Sequence, residues 1–359
     1  MQAKKVLIGM SGGVDSSVAA LLMKQAGFVC MGATMRLYEE PDCAGSCNAP
    51  ENIADAQAVA ERLDIPFCVL DFQKEFAQQV IHRFIASYES GMTPNPCVEC
   101  NCHMKFDRML SSALELGCDY VVSGHYAQIH YNKETGRYLL YKAKDHTKDQ
   151  TYFLAGLNQY QLEHTLFPLG SLAKQEVREI AEEHGFLNAR KRDSQDICFV
   201  PDGDYAAFMA RYTGKTYAPG NYLDMEGNVV GRHQGAVSYT IGQRKGLGIA
   251  LGKPVYVCGK NMADNTVTLG PNEALFTNAL LGLDWNWLPF PALTEPLSVT
   301  AKIRHSQKEV AAVVYPEADG SARVEFEEAQ RAISPGQAVV LYQGDMVVGG
   351  GTIAKALTL

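Results

Sequence analysis

Two stretches of this chain combine residue types and spacings that can do chemistry. The first is Gly9-Met10-Ser11-Gly12-Gly13-Val14-Asp15-Ser16-Ser17. Adjacent glycines let backbone N–H groups turn inward around an anion, serine hydroxyls add donors, and a following helix start adds partial positive charge. Asp15 could help hold a metal ion that neutralises phosphate. No lysine follows the glycines, so this is not the phosphate loop of the common NTPases. The second is Thr93-Pro94-Asn95-Pro96-Cys97-Val98-Glu99-Cys100-Asn101, to which Cys198, in Ser194-Gln195-Asp196-Ile197-Cys198-Phe199-Val200, adds another thiol. Two prolines stiffen the approach to Cys97 and Cys100, so these thiols are expected on a rigid loop leading into a helix near Lys105. A thiol near a helix start is biased toward the reactive thiolate.

The elements that must position these groups follow from periodicity. Val6–Ile8, Val29–Met35, Pro66–Leu70 and Tyr120–Val122 read as short buried strands. Asp15–Ala26, Ala54–Leu63, Phe72–Tyr88 and Lys105–Leu116 read as helices between them. This alternation predicts an α/β fold with a parallel sheet covered on both faces and ligands bound beyond the strand carboxyl ends. A hairpin follows at Ile129–Tyr131 and Tyr138–Lys142, then a helix Leu172–His184 with Ser171 as its cap. From Asp204 onward helical periodicity fades. Short β-rich runs take over, beginning with Ala236–Ile241 and Val255–Cys258, punctuated by Gly270-Pro271 and Pro335-Gly336. Three units result: residues 1–203 carrying the phosphate loop and cysteines, a central β-rich unit 204–273, and a β-barrel 274–359.

The bulk numbers agree with a multidomain enzyme. The 359 residues include 47% hydrophobic and 20% charged ones. No long apolar run is present and Met1–Lys5 lacks a signal-peptide pattern, so a cytoplasmic protein without membrane association is expected. Ten cysteines in a chain of this length are not a secreted disulfide scaffold. Cys30, Cys68, Cys118 and Cys258 sit in apolar segments and read as core. Cys43 and Cys47 are assigned no chemistry. Cys97, Cys100, Cys102 and His103 are too closely spaced for a common zinc site. The net charge of −8 argues against indiscriminate nucleic-acid binding. It leaves room for local basic clusters such as Lys142/Lys144/Lys148, Arg190–Arg192 and Lys302/Arg304/His305/Lys308.

The glycine loop resembles the SGGxDS signature of ATP pyrophosphatases, which cleave ATP between the α and β phosphates and leave AMP on an acceptor oxygen. With TPNPxxxCN, SGHYA at Ser123–Ala127, KDQTYFL at Lys148–Leu154, SQDICFV at Ser194–Val200 and YTIGQRKGLGI at Tyr239–Ile249, the order of motifs resembles the bacterial tRNA-specific 2-thiouridylases over nearly the whole chain. The resemblance implies a tRNA-uridine 2-sulfurtransferase using ATP and Mg2+, with tRNA and a sulfur-relay or cysteine desulfurase protein as partners, acting as a monomer. Gly9, Met10, Ser11, Gly12, Gly13, Val14, Asp15 and Ser16 would hold the triphosphate, and Met35 and Gly124 would border the adenosine. Cys100 would be the nucleophilic thiol and Cys198 the persulfide carrier. Asn95, Pro96 and Cys97 would face the target base, taken to be the wobble uridine. Lys148, Asp149, Gln150, Arg304 and His305 would contact the tRNA. Many members carry aspartate where Cys97 stands. The substitution opens an alternative, a [4Fe–4S] cluster held by Cys97, Cys100 and Cys198 with an open fourth iron. Two further rivals are a small-molecule ligase of the same superfamily and a non-catalytic RNA-binding protein.

Overall fold

The computed structural model describes residues 3–38, 50–189, 191 and 197–358. Cys43, Cys47, Arg190, Arg192 and the Ser194–Asp196 part of one motif lie outside them. The N-terminal elements are β1 (Lys5–Gly9), α1 (Val14–Gln25), β2 (Val29–Arg36), α2 (Pro50–Arg62), β3 (Phe67–Asp71), α3 (73–89), α4 (96–115), β4 (Tyr120–Val122), a hairpin β5–β6 (Ala127–Asn132, Arg137–Lys142), β7 (Thr165–Leu166) and α5 (Lys174–Glu183). The sheet order is β3-β2-β1-β4-β7, all parallel. One hydrophobic cluster covers each face: Leu7, Val121, Met104 and Phe106 on one, Val6, Ile8, Val18 and Val122 on the other. The chain moves outward from β1 toward β3, then returns to lay β4 on the other side of β1. This reversal opens a crevice at the carboxyl ends of β1 and β4, where ligands of such sheets bind.

Helix α4 differs from expectation. It begins at Pro96, well before Lys105, because Asn95 Oδ1 accepts the Cys97 N–H at 3.2 Å and Pro96 fits the first helical position. Over Cys100–Arg108 its turns widen to i→i+5 hydrogen bonds, a geometry that clusters at functional sites. The cysteines therefore sit within a helix. Ser171 does not cap α5; the Ala173 N–H is instead taken by Glu176, and the Lys174 N–H by Asp145.

The central unit holds α6 (Tyr205–Thr213), β8 (Gly220–Leu223), β9 (Val229–His233), β10 (Tyr256–Asn261) and β11 (Thr266–Gly270), in sheet order β10-β11-β8-β9. Helical structure thus persists past Asp204, whose side chain caps α6 by accepting the Ala207 N–H. The expected strand Ala236–Ile241 is a tight 3-10 turn over Ala236–Ser238. Gly235, at φ +120°, reverses the chain just before it. The last strands, β12 (Phe276–Trp287), β13 (Leu297–Lys302), β14 (Val310–Pro316), β15 (Ala322–Arg331), β16 (Ala338–Gln343) and β17 (Met346–Leu357), close into a six-stranded barrel through β12–β17 pairing.

The barrel is locked onto the first unit. Hairpin β5–β6 extends its sheet, with Met346 opposite Tyr141. Lys142, which the sequence places in a basic surface cluster, is buried there. Its Nζ lies 2.8 Å from Glu309, donates to Gly344 O at 2.8 Å and sits over the Tyr342 ring. A barrel loop also grips the approach to α4: Thr93 N–H donates to Pro335 O at 2.7 Å, and Gln337 Nε2 donates to Thr93 O at 3.0 Å. No helix among the described residues is long and apolar enough to cross a membrane. Removing Glu309 leaves the buried Lys142 ammonium only the exposed Asp345 carboxylate, 4.0 Å away. Glu309→Ala is expected to destabilise the chain by about 3 kcal/mol, read as a lower unfolding midpoint by calorimetry; an unchanged midpoint would contradict the lock.

Candidate active site

The phosphate loop hangs from the β1–β2 pair. Met10 N–H donates to Ala33 O at 2.8 Å and Thr34 Oγ1 donates to Met10 O at 2.6 Å, which fixes where the loop departs. Gly12 has φ +73°, and a Cβ there would lie 2.3 Å from Asn52 O, so only glycine fits. Asn188 Nδ2 clamps the loop by donating to Gly12 O and Ser17 Oγ. Ser16 and Ser17 hydroxyls both donate to Gly13 O at 3.0 Å. Ser11 N–H donates to Ser16 Oγ at 3.2 Å. The first-turn N–H groups of α1 lack helical acceptors and suit an anion. Val14 is buried, and Gly9 lies beside Met109 of α4. Asp15 is already committed: Lys174 Nζ reaches both carboxylate oxygens at 2.8 Å, and Tyr126 Oη donates to Oδ1 at 2.8 Å.

The opposite wall is the end of β4. A Cβ on Gly124 would stand 2.8 Å from the Asp15 carbonyl carbon and 2.9 Å from Ser16 N, so β4 and the loop are in direct backbone contact. The next residue, His125, is buried between Phe106 and Phe167. Its Nδ1 meets Ser123 Oγ at 2.7 Å and its Nε2 faces Lys105 Nζ at 3.5 Å. Desolvation, then the Lys105 charge, hold this imidazole well below its ordinary pKa. Gln150 pairs with this segment on both sides: its Oε1 accepts the Tyr126 N–H at 2.9 Å, and its own N–H donates to Tyr126 O at 3.0 Å.

Along α4, Cys97 is exposed and Cys100 half-buried. Burial, with the nearby Glu99 charge, pushes the Cys102 thiol up to about 12, which keeps it a thiol at neutral pH. Asn101 is buried and donates to Phe153 O at 3.0 Å, while its Oδ1 has no partner. Glu99 meets Arg83 at 2.8 Å and His103 at 3.4 Å. Burial would raise this carboxyl, but the bonds from His103 and Arg83 bring it below its usual range. Cys198 is also half-buried. It packs, with Met35 and Cys100, on the edge of the hydrophobic cluster that backs β1 and β4. Cys97, Cys100 and Cys198 do not converge as a trio. Among the described residues, no three His, Cys, Asp or Glu side chains are grouped to hold a metal ion, so the [4Fe–4S] alternative finds no support in the donor geometry.

Of the residues expected to touch tRNA, Asp149 is buried. Its carboxylate accepts the Ala143 N–H at 3.1 Å and the Thr151 hydroxyl at 2.6 Å, bracing the loop that carries Lys148. Arg304 donates to Arg331 O and Ala332 O at 2.8 Å each. His305 stacks on Phe153 at 4.5 Å, linking the barrel through Phe153 to Asn101 and the cysteine helix. Of the core cysteines, Cys30 and Cys118 are buried, whereas Cys68 and Cys258 are only partly so. Sequence reasoning missed Tyr126, Lys174, Asn188 and the Lys105–His125 pair. The SGHYA motif was the one available signal, and it does not specify partners distant in sequence.

Comparison with known proteins places these features in context. The family model described as tRNA methyl transferase HUP domain matches residues 4–202, the tRNA methyl transferase PRC-barrel domain 206–271, and the aminomethyltransferase β-barrel domain 277–353. The tRNA-specific 2-thiouridylase of Clostridioides difficile is 50% identical, covering 99% of both chains. That of Acetivibrio thermocellus is 48% identical over 98% of this chain and 100% of its own. That of Clostridium perfringens is 47% identical over 99% and 100%. The contrast in thiol environments is directly measurable: iodoacetamide at pH 8 should label exposed Cys97 well before Cys102, which burial keeps as the unreactive thiol. Peptide mass spectrometry showing equal rates would refute the assigned burial.

Proposed function

The chain belongs to the tRNA-specific 2-thiouridylase family, and from that premise we propose that it adenylates the O2 of a tRNA uridine, at the wobble position, and replaces that oxygen with sulfur relayed through Cys198 and Cys100. It is an ATP-dependent tRNA sulfurtransferase. About half of its residues are shared with thiouridylases over nearly the full chain, which favours thiolation over the methyl transfer named in the domain descriptions. What supports the site reading is that Cys100 and Cys198 are both half-buried and both pack against the hydrophobic cluster that includes Leu7 and Val121 of the sheet.

In this reading the loop from Gly9 to Ser16 holds the triphosphate, with Met35 and Gly124 beside the adenosine. Mg2+ accompanies ATP as its counter-ion. Asp15, paired with Lys174 and Tyr126, is held at the mouth of the loop. Adenylation converts the uridine O2 into part of AMP, a good leaving group. The terminal sulfur of a Cys198 persulfide attacks C2, forming a C–S bond as the C2–O bond breaks and AMP departs. The Cys100 thiolate then attacks the inner sulfur, breaking the S–S bond. The bonding pair stays on the sulfur now held by the base, and a Cys100–Cys198 disulfide remains for an external thiol to reduce. A sulfur-relay or desulfurase protein reloads Cys198.

Asn95, Pro96 and exposed Cys97, at the start of α4, face the target base. Lys148 meets RNA phosphate while Asp149 and Gln150 shape its loop, and Arg304 and His305 position the barrel against the anticodon arm. The enzyme works as a cytoplasmic monomer. Cys100→Ser and Cys198→Ser are each expected to abolish 2-thiouridine formation, measured by nucleoside mass spectrometry, with tRNA affinity changed less than about threefold. Retained thiolation in either variant would refute the relay.

A further inference from the structure

We propose that Lys105 is a catalytic residue of the adenylation step, its ammonium neutralising the α-phosphoryl group of ATP as uridine O2 displaces pyrophosphate. This deepens the thiolation reading and rests on it. The glycine loop carries no lysine of its own. Two lysines stand beside the loop, and both are neutralised: Lys174 by Asp15, and Lys191 by Asp55 at 2.7 Å with Asn52 at 2.6 Å. Lys105 differs. Among the described residues its ammonium meets no carboxylate, and its one polar neighbour is His125 Nε2 at 3.5 Å.

The position follows from the packing of α4. Met109 lies against Gly9: a Cβ on that glycine would be 3.1 Å from Met109 Cε and 3.7 Å from Val122 O. Met109 is therefore level with the carboxyl ends of β1 and β4. α4 enters β4 through a tight turn at Gly117, so it runs opposite to the strands. Lys105 precedes Met109 by four residues and so lies further out, past the strand ends, and Cys100 lies further out again on the same helix. Lys105 is thus tied through His125, whose neighbour Gly124 touches Asp15 and Ser16, to the loop, and it shares its helix with Cys100.

His125 fixes the direction of the ammonium. A lysine ammonium has only protons to give, so Nε2 must accept and the imidazole proton sits on Nδ1, donating to Ser123 Oγ. The imidazole is therefore a neutral anchor that leaves the Lys105 charge uncancelled. Its backbone neighbour Gly124 touches Asp15 and Ser16 of the loop. A half-buried cation without a counter-charge is unfavourable by itself, and an α-phosphate supplies the missing charge.

In the step concerned, the O2–Pα bond forms as the Pα–O bond to the β-phosphate breaks. The bonding pair leaves on pyrophosphate and the uridine N3 proton passes to solvent. Lys105 exchanges no proton. It offsets charge on the non-bridging α-oxygens, and the same charge stabilises AMP when sulfur later attacks C2.

The full-length enzyme tests this with Lys105→Met and Lys105→Arg, read by tRNA-dependent pyrophosphate release in single turnover and by 2-thiouridine formation. Lys105→Met should slow pyrophosphate release by about 10²–10³-fold, with KM for ATP within about threefold and an unfolding midpoint equal to or above that of the unsubstituted protein. Lys105→Arg, which keeps the charge, should recover at least about tenfold of the loss. His125 acts through Lys105 as a positioning residue, so Lys105→Met with His125→Gln should be no slower than Lys105→Met alone. Pyrophosphate release by Lys105→Met within about threefold of the unsubstituted enzyme would overturn the proposal, whatever happens to the sulfur step. Failure of the unsubstituted enzyme to thiolate tRNA would instead remove the reading beneath it.

Discussion

The backbone of Asp15 and Ser16 runs so close to Gly124 that a single added methyl group would collide with it. This contact joins the first and fourth strands of the parallel sheet at their carboxyl ends, and the active-site crevice is what the chain builds around it. On one side the contact holds the glycine loop, clamped from behind by Asn188 and stopped by Asn52. On the other it sets His125 in an aromatic slot between Phe106 and Phe167, with Nε2 facing Lys105. The anion site and the groups that act on the anion are thereby placed by one backbone approach and need no flexible side chain to bridge them.

The cysteine helix supplies the third wall. Its start is fixed by Asn95 and Pro96, its approach is gripped by Pro335 and Gln337 of the barrel, and its interior turn is tied through Asn101 to Phe153 and His305. The C-terminal barrel is therefore a structural wall of the unit that carries the cysteine helix. The buried Lys142–Glu309 pair and the shared β6–β17 edge make that docking rigid. Rigid docking matters chemically, because a small displacement of a thiol from an activated base is enough to lose the advantage of proximity.

Much of this was legible in the residues. The alternation of buried strands and amphipathic helices gave the parallel sheet, and the glycine loop between β1 and α1 pointed to a phosphate. What misled was local reading across boundaries. Two prolines before Cys97 suggested a loop, yet Asn95 and Pro96 are also good helix starters, and they win because the barrel holds the preceding residues extended. Lys142 read as surface charge because its partner Glu309 comes from a distant loop, just before β14. Ser171 read as a cap because the Glu176 reach-back to Ala173 is as strong a signal and lies two residues further on. Cys97, Cys100 and Cys198 suggested a cluster as an alternative, and no group of three such side chains placed to hold a metal ion is found among the described residues. For Lys142 the deciding contact comes from a segment that sequence spacing cannot place.

The account depends on Cys198 meeting Cys100 at the crevice during sulfur delivery. Persulfide-loaded enzyme should be mixed with ATP and tRNA without reductant, quenched after one turnover, and digested for disulfide-mapping mass spectrometry. The prediction is one Cys100–Cys198-linked peptide for each 2-thiouridine formed. Thiolated tRNA accompanied by unlinked Cys100 and Cys198 would contradict it.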